Sequence, residues 1–133
     1  MKYKPNGLKN IYDIISKEKL DVVNKPIEKA HGLPNECYNS QEYTKIERKK
    51  LFEDKWVAVG VASSLPKPGD AKPFDLLGIP LILVRTKNNK IKVYHNVCSH
   101  RGYKILQKKC NLKNLIRCPY HSWSYNLDGK LIS

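Results

Sequence analysis

The chain has 133 residues, 41% hydrophobic and 28% charged, which suits one soluble domain with a modest core. No apolar run approaches the roughly 18 residues of a membrane span, and the basic N-terminus has neither an apolar signal stretch nor a small-residue cleavage site, so the expectation is a cytoplasmic protein with no membrane contact. The net charge of +13 is mostly lysine spread along the chain, with only four arginines, Arg48, Arg85, Arg101 and Arg117, which argues against nucleic acid and for a solvated surface or an acidic protein partner.

In chain order, residues 7–20 place Leu8, Ile11, Tyr12, Ile15 and Lys19 at three- and four-residue spacings, which predicts a short amphipathic helix. Pro26, Gly32 and Pro34 break the next stretch into an extended lead-in. Ser40 is placed to cap a second helix over roughly residues 41–54, with Tyr43, Ile46, Leu51 and Phe52 near one face. The period then becomes alternating. Trp56 to Ala62 reads as a strand, and SLPKPGDAKPFDLLG, rich in proline and glycine, as an irregular connection. PLILVRTK and KIKVYHNV flank Asn88-Asn89 as a β-hairpin, its second strand setting Ile91, Val93 and His95 on one face against Lys92, Tyr94 and Asn96. Leu115 to Arg117 and Trp123 to Asn126 read as further strands, and Leu127 to Lys130 as a turn. Lys130 to Ser133 reads as a last strand without a closing partner, so the chain looks cut short. The expected organisation is a helical lead-in over 1–54 and a mainly β body over 55–133.

That body holds CSHRGY (98–103) and, twenty residues on, CPYHSW (118–123), both in predicted loops. Cys98 and His100, then Cys118 and His121, form C-x-H, seventeen residues, C-x-x-H, a set of four soft or borderline ligands. Such a set fits one metal centre, either a zinc ion held by all four or a diiron-disulfide cluster with the cysteines on one iron and the histidines on the other. The single residue between Cys98 and His100 is tighter than the usual zinc knuckle and leans away from zinc. Cys37 and Cys110 have no neighbouring histidine and read as incidental thiols.

CSHRGY followed by CPYHSWSYNLDGKL, with LPNECYNSQEYTKIERKKLFEDKWVAVG ahead of them and Asn96 in NVCSHRGY, resembles the N-terminal Rieske domain of the Rieske non-haem iron oxygenases over roughly residues 33–133. The resemblance implies a small antiparallel β-sandwich or barrel with two cluster-binding loops, preceded by a helical segment. It implies a [2Fe-2S] cluster with Cys98 and Cys118 on the inner iron and His100 and His121 on the outer, exposed one. Thiolates stabilise ferric iron better than neutral imidazoles do, so an added electron would settle on the histidine side. Gly102 is expected to permit close backbone approach, Pro119 to stiffen the second loop, and Trp123 and Tyr125 to be core aromatics.

Cytochrome-reductase Rieske proteins have a further cysteine in each loop, and this chain has Tyr103 and Tyr120 there, so no bracing disulfide is expected. They also have a serine bonded to a cluster sulfur where Trp123 stands, which implies a potential near the bottom of the Rieske range, about −150 mV. A mononuclear Fe(II) is expected only in a catalytic domain that the chain lacks. His95 reads as a strand-face side chain, and His31 has no ligand partner. The implied role is a relay of single electrons from a ferredoxin or flavin reductase to the catalytic domain of a neighbouring subunit, in a homotrimer when full length. A free-standing Rieske ferredoxin is the alternative. Aromatic acids, aromatic hydrocarbons and quaternary amines all stay open as substrates, and the approach segment is similar to that of the amine-oxidising branch.

Overall fold

The computed structural model describes residues 9–133, which divide into two compact units, a first ending at Val57 and a second, Ala58–Ser133. No helix among the described residues is long and apolar enough to cross a membrane.

The first unit is built from short helices that start where a side chain can cap them. Asn10 and Asp13 form a capping box on a 3-10 turn, Ile11–Asp13. Ser16 then caps helix α1, Lys17–Val23. The single helix expected over residues 7–20 is therefore two pieces, because the Ser16 backbone is extended (φ −63°, ψ 150°) and restarts the ladder; Leu8 lies outside the described residues. Ile15, at the break, is fully buried. Helix α2, Glu36–Asn39, is tied to α1 by an ion pair between Lys19 and Glu36. Ser40 caps helix α3, Gln41–Glu47, accepting from the Tyr43 N–H at 3.2 Å. The helix continues as a wider π turn, Arg48–Glu53, closed by the Asp54 N–H on the Lys49 carbonyl at 3.0 Å. The predicted extent, 41–54, thus holds, with a change of winding in its second half.

The second unit is antiparallel β. Strands β1 (Asp70–Leu76), β2 (Ile79–Arg85), β3 (Ile91–His95) and β4 (Cys110–Asn111) form a sheet in the order β3-β2-β1-β4, and β5 (Leu115–Arg117) pairs with β6 (Ser124–Asn126) in a second. Leu77 and Gly78, both with positive φ (52° and 86°), make the tight β1–β2 turn. Asn89 (φ 59°) supports the β2–β3 turn, in which the Thr86 N–H bonds the Lys90 carbonyl at 2.8 Å. Ala71, Ile82, Val84, Leu106, Ile116 and Leu127 form one core between the sheets, with Tyr94, Ile105 and Tyr125 packed on it. Ile82 and Val84 are at most 1% exposed, each contributing about 1.5–3 kcal/mol by burial.

Three expectations change. Strand β1 occupies the stretch read as an irregular connection; Pro73 is accommodated because β1 pairs with β4 only at Asp70 and Ala71, leaving an open edge beside the proline. Trp56 to Val61 keeps the extended alternation, with Val57 and Val59 half-buried, but joins no ladder among the described residues. Leu131 bridges to Tyr125, and the Ser124 N–H donates to the Ser133 carbonyl at 2.7 Å, so the final residues do have a partner in β6. Along β3 and the residue that follows it, Tyr94 and Asn96 turn inward, and Val93 is 42% exposed.

Candidate metal centre

The two predicted loops share one backbone design. In the first, the Cys98 N–H donates to the Tyr103 carbonyl at 2.8 Å and the Gly102 N–H to the Cys98 carbonyl at 2.9 Å. In the second, the Cys118 N–H donates to the Trp123 carbonyl at 2.8 Å and the Ser122 N–H to the Cys118 carbonyl at 3.0 Å. Each turn closes through one left-handed residue, Gly102 (φ 68°) and Ser122 (φ 62°). A Cβ on Gly102 would meet no protein atom within 4 Å, so conformation, and not a close protein neighbour, calls for glycine there.

The loops are anchored differently. Asn96, fully buried after β3, donates from its amide to the Leu106 carbonyl at 2.7 Å and accepts from the Leu106 N–H at 2.8 Å. This clamp pins both ends of the first loop. The second loop is carried by the β5–β6 pair, whose register sets Arg117 opposite Ser124. Gly129, in the turn after β6, lies so close to Tyr94 that a Cβ would come within 2.6 Å of its ring.

Cys98 and Cys118 are 2% and 1% exposed, close enough for the Cys118 thiol to act on the ionisation of Cys98, and unbridged. His100 and His121 are exposed, with ring centroids 5.0 Å apart and nearly edge to face. The donors are thus gathered as a buried thiol pair and an exposed imidazole pair. No group of three or more His, Cys, Asp or Glu among the described residues converges closely enough to hold a single metal ion. Burial opposes ionisation of Cys98 most strongly. It is outweighed by donors from the Tyr125 hydroxyl, the His100 N–H, the Cys118 thiol and the Arg101 N–H, so the thiol pKa falls below the ordinary cysteine value.

Aromatic side chains hold the imidazoles. Trp123 stacks on His100 at 4.8 Å between centroids and 6° between planes, and Tyr120 lies against His121 at 3.7 Å. Tyr103 and Tyr120, one from each loop, are themselves neighbours, 5.4 Å apart. Tyr125 was expected only as core. Its ring does pack on the core, but its hydroxyl reaches Cys98 Sγ at 3.4 Å and Ser99. The signal available in the sequence was that a buried tyrosine needs a partner for its hydroxyl. His95 is exposed on β3, and His31 belongs to the first unit with no metal-ligand group around it among the described residues. Cys37 and Cys110 are unpaired thiols outside both loops.

Residues 55–133 match the family model of the Rieske [2Fe-2S] domain. The chain is 34% identical over 102 residues to the carnitine monooxygenase oxygenase subunit of Acinetobacter baumannii, a match covering 77% of this chain and 28% of that protein. Among solved structures, it is similar to a quaternary ammonium Rieske monooxygenase studied for carnitine oxidation and inter-subunit electron transfer, with a TM-score of 0.73 and 33% identity over 78% of this chain and 28% of that one. It is also similar to naphthalene 1,2-dioxygenase from a Rhodococcus species, with a TM-score of 0.80 and 27% identity over 96% of this chain and 28% of that one. The chain therefore spans under a third of the length of these proteins.

Proposed function

The chain belongs to the Rieske [2Fe-2S] domain family, and from that premise we propose that it is the electron-relay portion of the oxygenase subunit of a Rieske oxygenase. The observation that carries the reading is the division of donors into two buried thiols and two exposed imidazoles. That division fits two bridged irons, whereas one tetrahedral zinc needs four donors converging on a point. Cys98 and Cys118 would hold the buried iron, His100 and His121 the exposed one. Bound there, a [2Fe-2S] cluster supplies reversible one-electron chemistry.

The chain's own residues prepare both ends. Tyr125 and the N–H groups of His100 and Arg101 aim positive dipoles at Cys98 Sγ, which favours the thiolate that a metal requires. Trp123 and Tyr120 fix the two imidazole planes, so the exposed donors keep a set orientation toward any partner.

The electron donor is a ferredoxin or flavin reductase with an acidic docking face. Support comes from the charge of the β unit: residues 76–127, which include both loops, contain no acidic residue. The acids of that unit are already engaged: Asp128 pairs with Lys92 at 3.0 Å, Asp70 accepts from the Lys67 N–H at 2.8 Å, and Asp75 accepts from the Gly78 N–H at 2.6 Å. The acceptor is the catalytic domain of a neighbouring subunit in a homotrimer, which holds the mononuclear Fe(II); inter-subunit transfer in the similar quaternary ammonium monooxygenase supports this. That enzyme and the carnitine monooxygenase subunit also support a quaternary ammonium substrate for the full-length protein. A free-standing carrier is disfavoured, because the likeness to an oxygenase continues through 96% of the chain, past the domain itself.

Purified anaerobically, the protein should be red-brown, contain two irons and two acid-labile sulfides per chain, and give a rhombic EPR signal after dithionite reduction. Colourless protein with one zinc per chain would overturn the reading.

A further inference from the structure

Tyr125 Oη stands at the centre of three polar contacts: Cys98 Sγ at 3.4 Å, the Ser99 N at 3.2 Å and Ser99 Oγ at 2.8 Å. A phenol oxygen has one proton to give and lone pairs to receive. An amide N–H only donates and a metal-bound thiolate only accepts, so the Cys98 contact is a hydrogen bond only with the Tyr125 proton on the sulfur. The remaining contact then has one solution, with the Ser99 hydroxyl donating to Tyr125. The competing arrangement, in which Ser99 Oγ accepts the phenol proton, draws it away from Cys98. We infer that Ser99 is a positioning residue for the electron relay, its hydroxyl and amide together saturating Tyr125 Oη and holding the phenol proton on Cys98 Sγ.

This inference rests on the reading of Cys98 as a cluster ligand. Donors onto a phenol oxygen polarise it and strengthen the hydrogen bond it gives in turn. A hydrogen bond to a ligating sulfur stabilises the more negative, reduced state and raises the reduction potential. The two arrangements at Ser99 therefore predict shifts of opposite sign when its hydroxyl is removed.

The test is an EPR-monitored redox titration of the full chain loaded with iron and sulfide. Ser99→Ala should lower the midpoint potential, Tyr125→Phe should lower it further, and Ser99→Ala should add nothing in the Tyr125→Phe background. Ser99→Thr, which keeps the hydroxyl, should retain the wild-type value. A rise or no change with Ser99→Ala, or a further drop in the Tyr125→Phe background, would overturn the role. So would a Ser99→Ala protein that fails to load where Ser99→Thr loads, since the serine would then be structural. A wild-type protein with no EPR signal removes the cluster reading itself; a normal signal with an unmoved potential removes only the role of Ser99.

Discussion

The two cysteine loops, 98–103 and 118–123, are one turn built twice with different support. The hydrogen bonds that close them match within about a tenth of an ångström, and both pass through a left-handed residue at the same place. Yet the histidine is the third residue of one loop and the fourth of the other. The unequal spacing is therefore not a difference in backbone. It moves the imidazole by one position along a common turn, and across the two loops His100 and His121 meet at 5.0 Å. What differs is anchorage: a buried asparagine clamp for the first loop, a short hairpin for the second.

The largest effect should come from treating the loops as equal partners. Cys98→Ala and Cys118→Ala should each abolish iron and sulfide retention, since on the proposed ligand set either would leave a single thiol for the buried iron. Metal analysis with visible absorption checks this, and retention by either variant would show that the loops do not contribute alike. The next effect should separate them. Asn96→Ala leaves the Leu106 N–H and carbonyl buried without partners and should cost about 3 kcal/mol of stability in chemical denaturation. Amide exchange should accelerate across residues 97–106 more than across 118–123; equal acceleration would mean the clamp serves the whole unit.

The pairing of the two cysteine loops was more legible in the sequence than the sheet around it, and the reason is physical. Metal ligation demands particular atoms at particular spacings, so Cys98, His100, Cys118 and His121 stand out from any background. A strand demands only an extended backbone and a partner. Strand β1 was invisible because Pro73 and the polar residues around it read as a loop, and its place depends on β2, whose apolar run was plain. Trp56 to Val61 shows the converse, an alternating pattern that finds no ladder among the described residues. Tyr125 was half legible: its ring follows the strand period, but its bond to Cys98 spans 27 residues and appears only once the loops face each other.

The smallest effects should test the shared turn itself. Gly102→Ala forces a side chain into left-handed backbone, a strain of about 1–2 kcal/mol offset in part by about 0.4–1 kcal/mol less unfolded-chain entropy, and should cost about 0.5–1 kcal/mol net. Ser122 already bears that strain. Replacing it with glycine relieves the strain but gives the unfolded chain about 0.4–1 kcal/mol more entropy to lose, so Ser122→Gly should stabilise by only about 0.5 kcal/mol. Paired denaturation curves of metal-free protein measure both. Opposite signs at the two positions follow if the loops are one turn with two occupants. Destabilisation by Ser122→Gly would instead assign the serine side chain a contact of its own, and the likeness of the loops would end at the backbone.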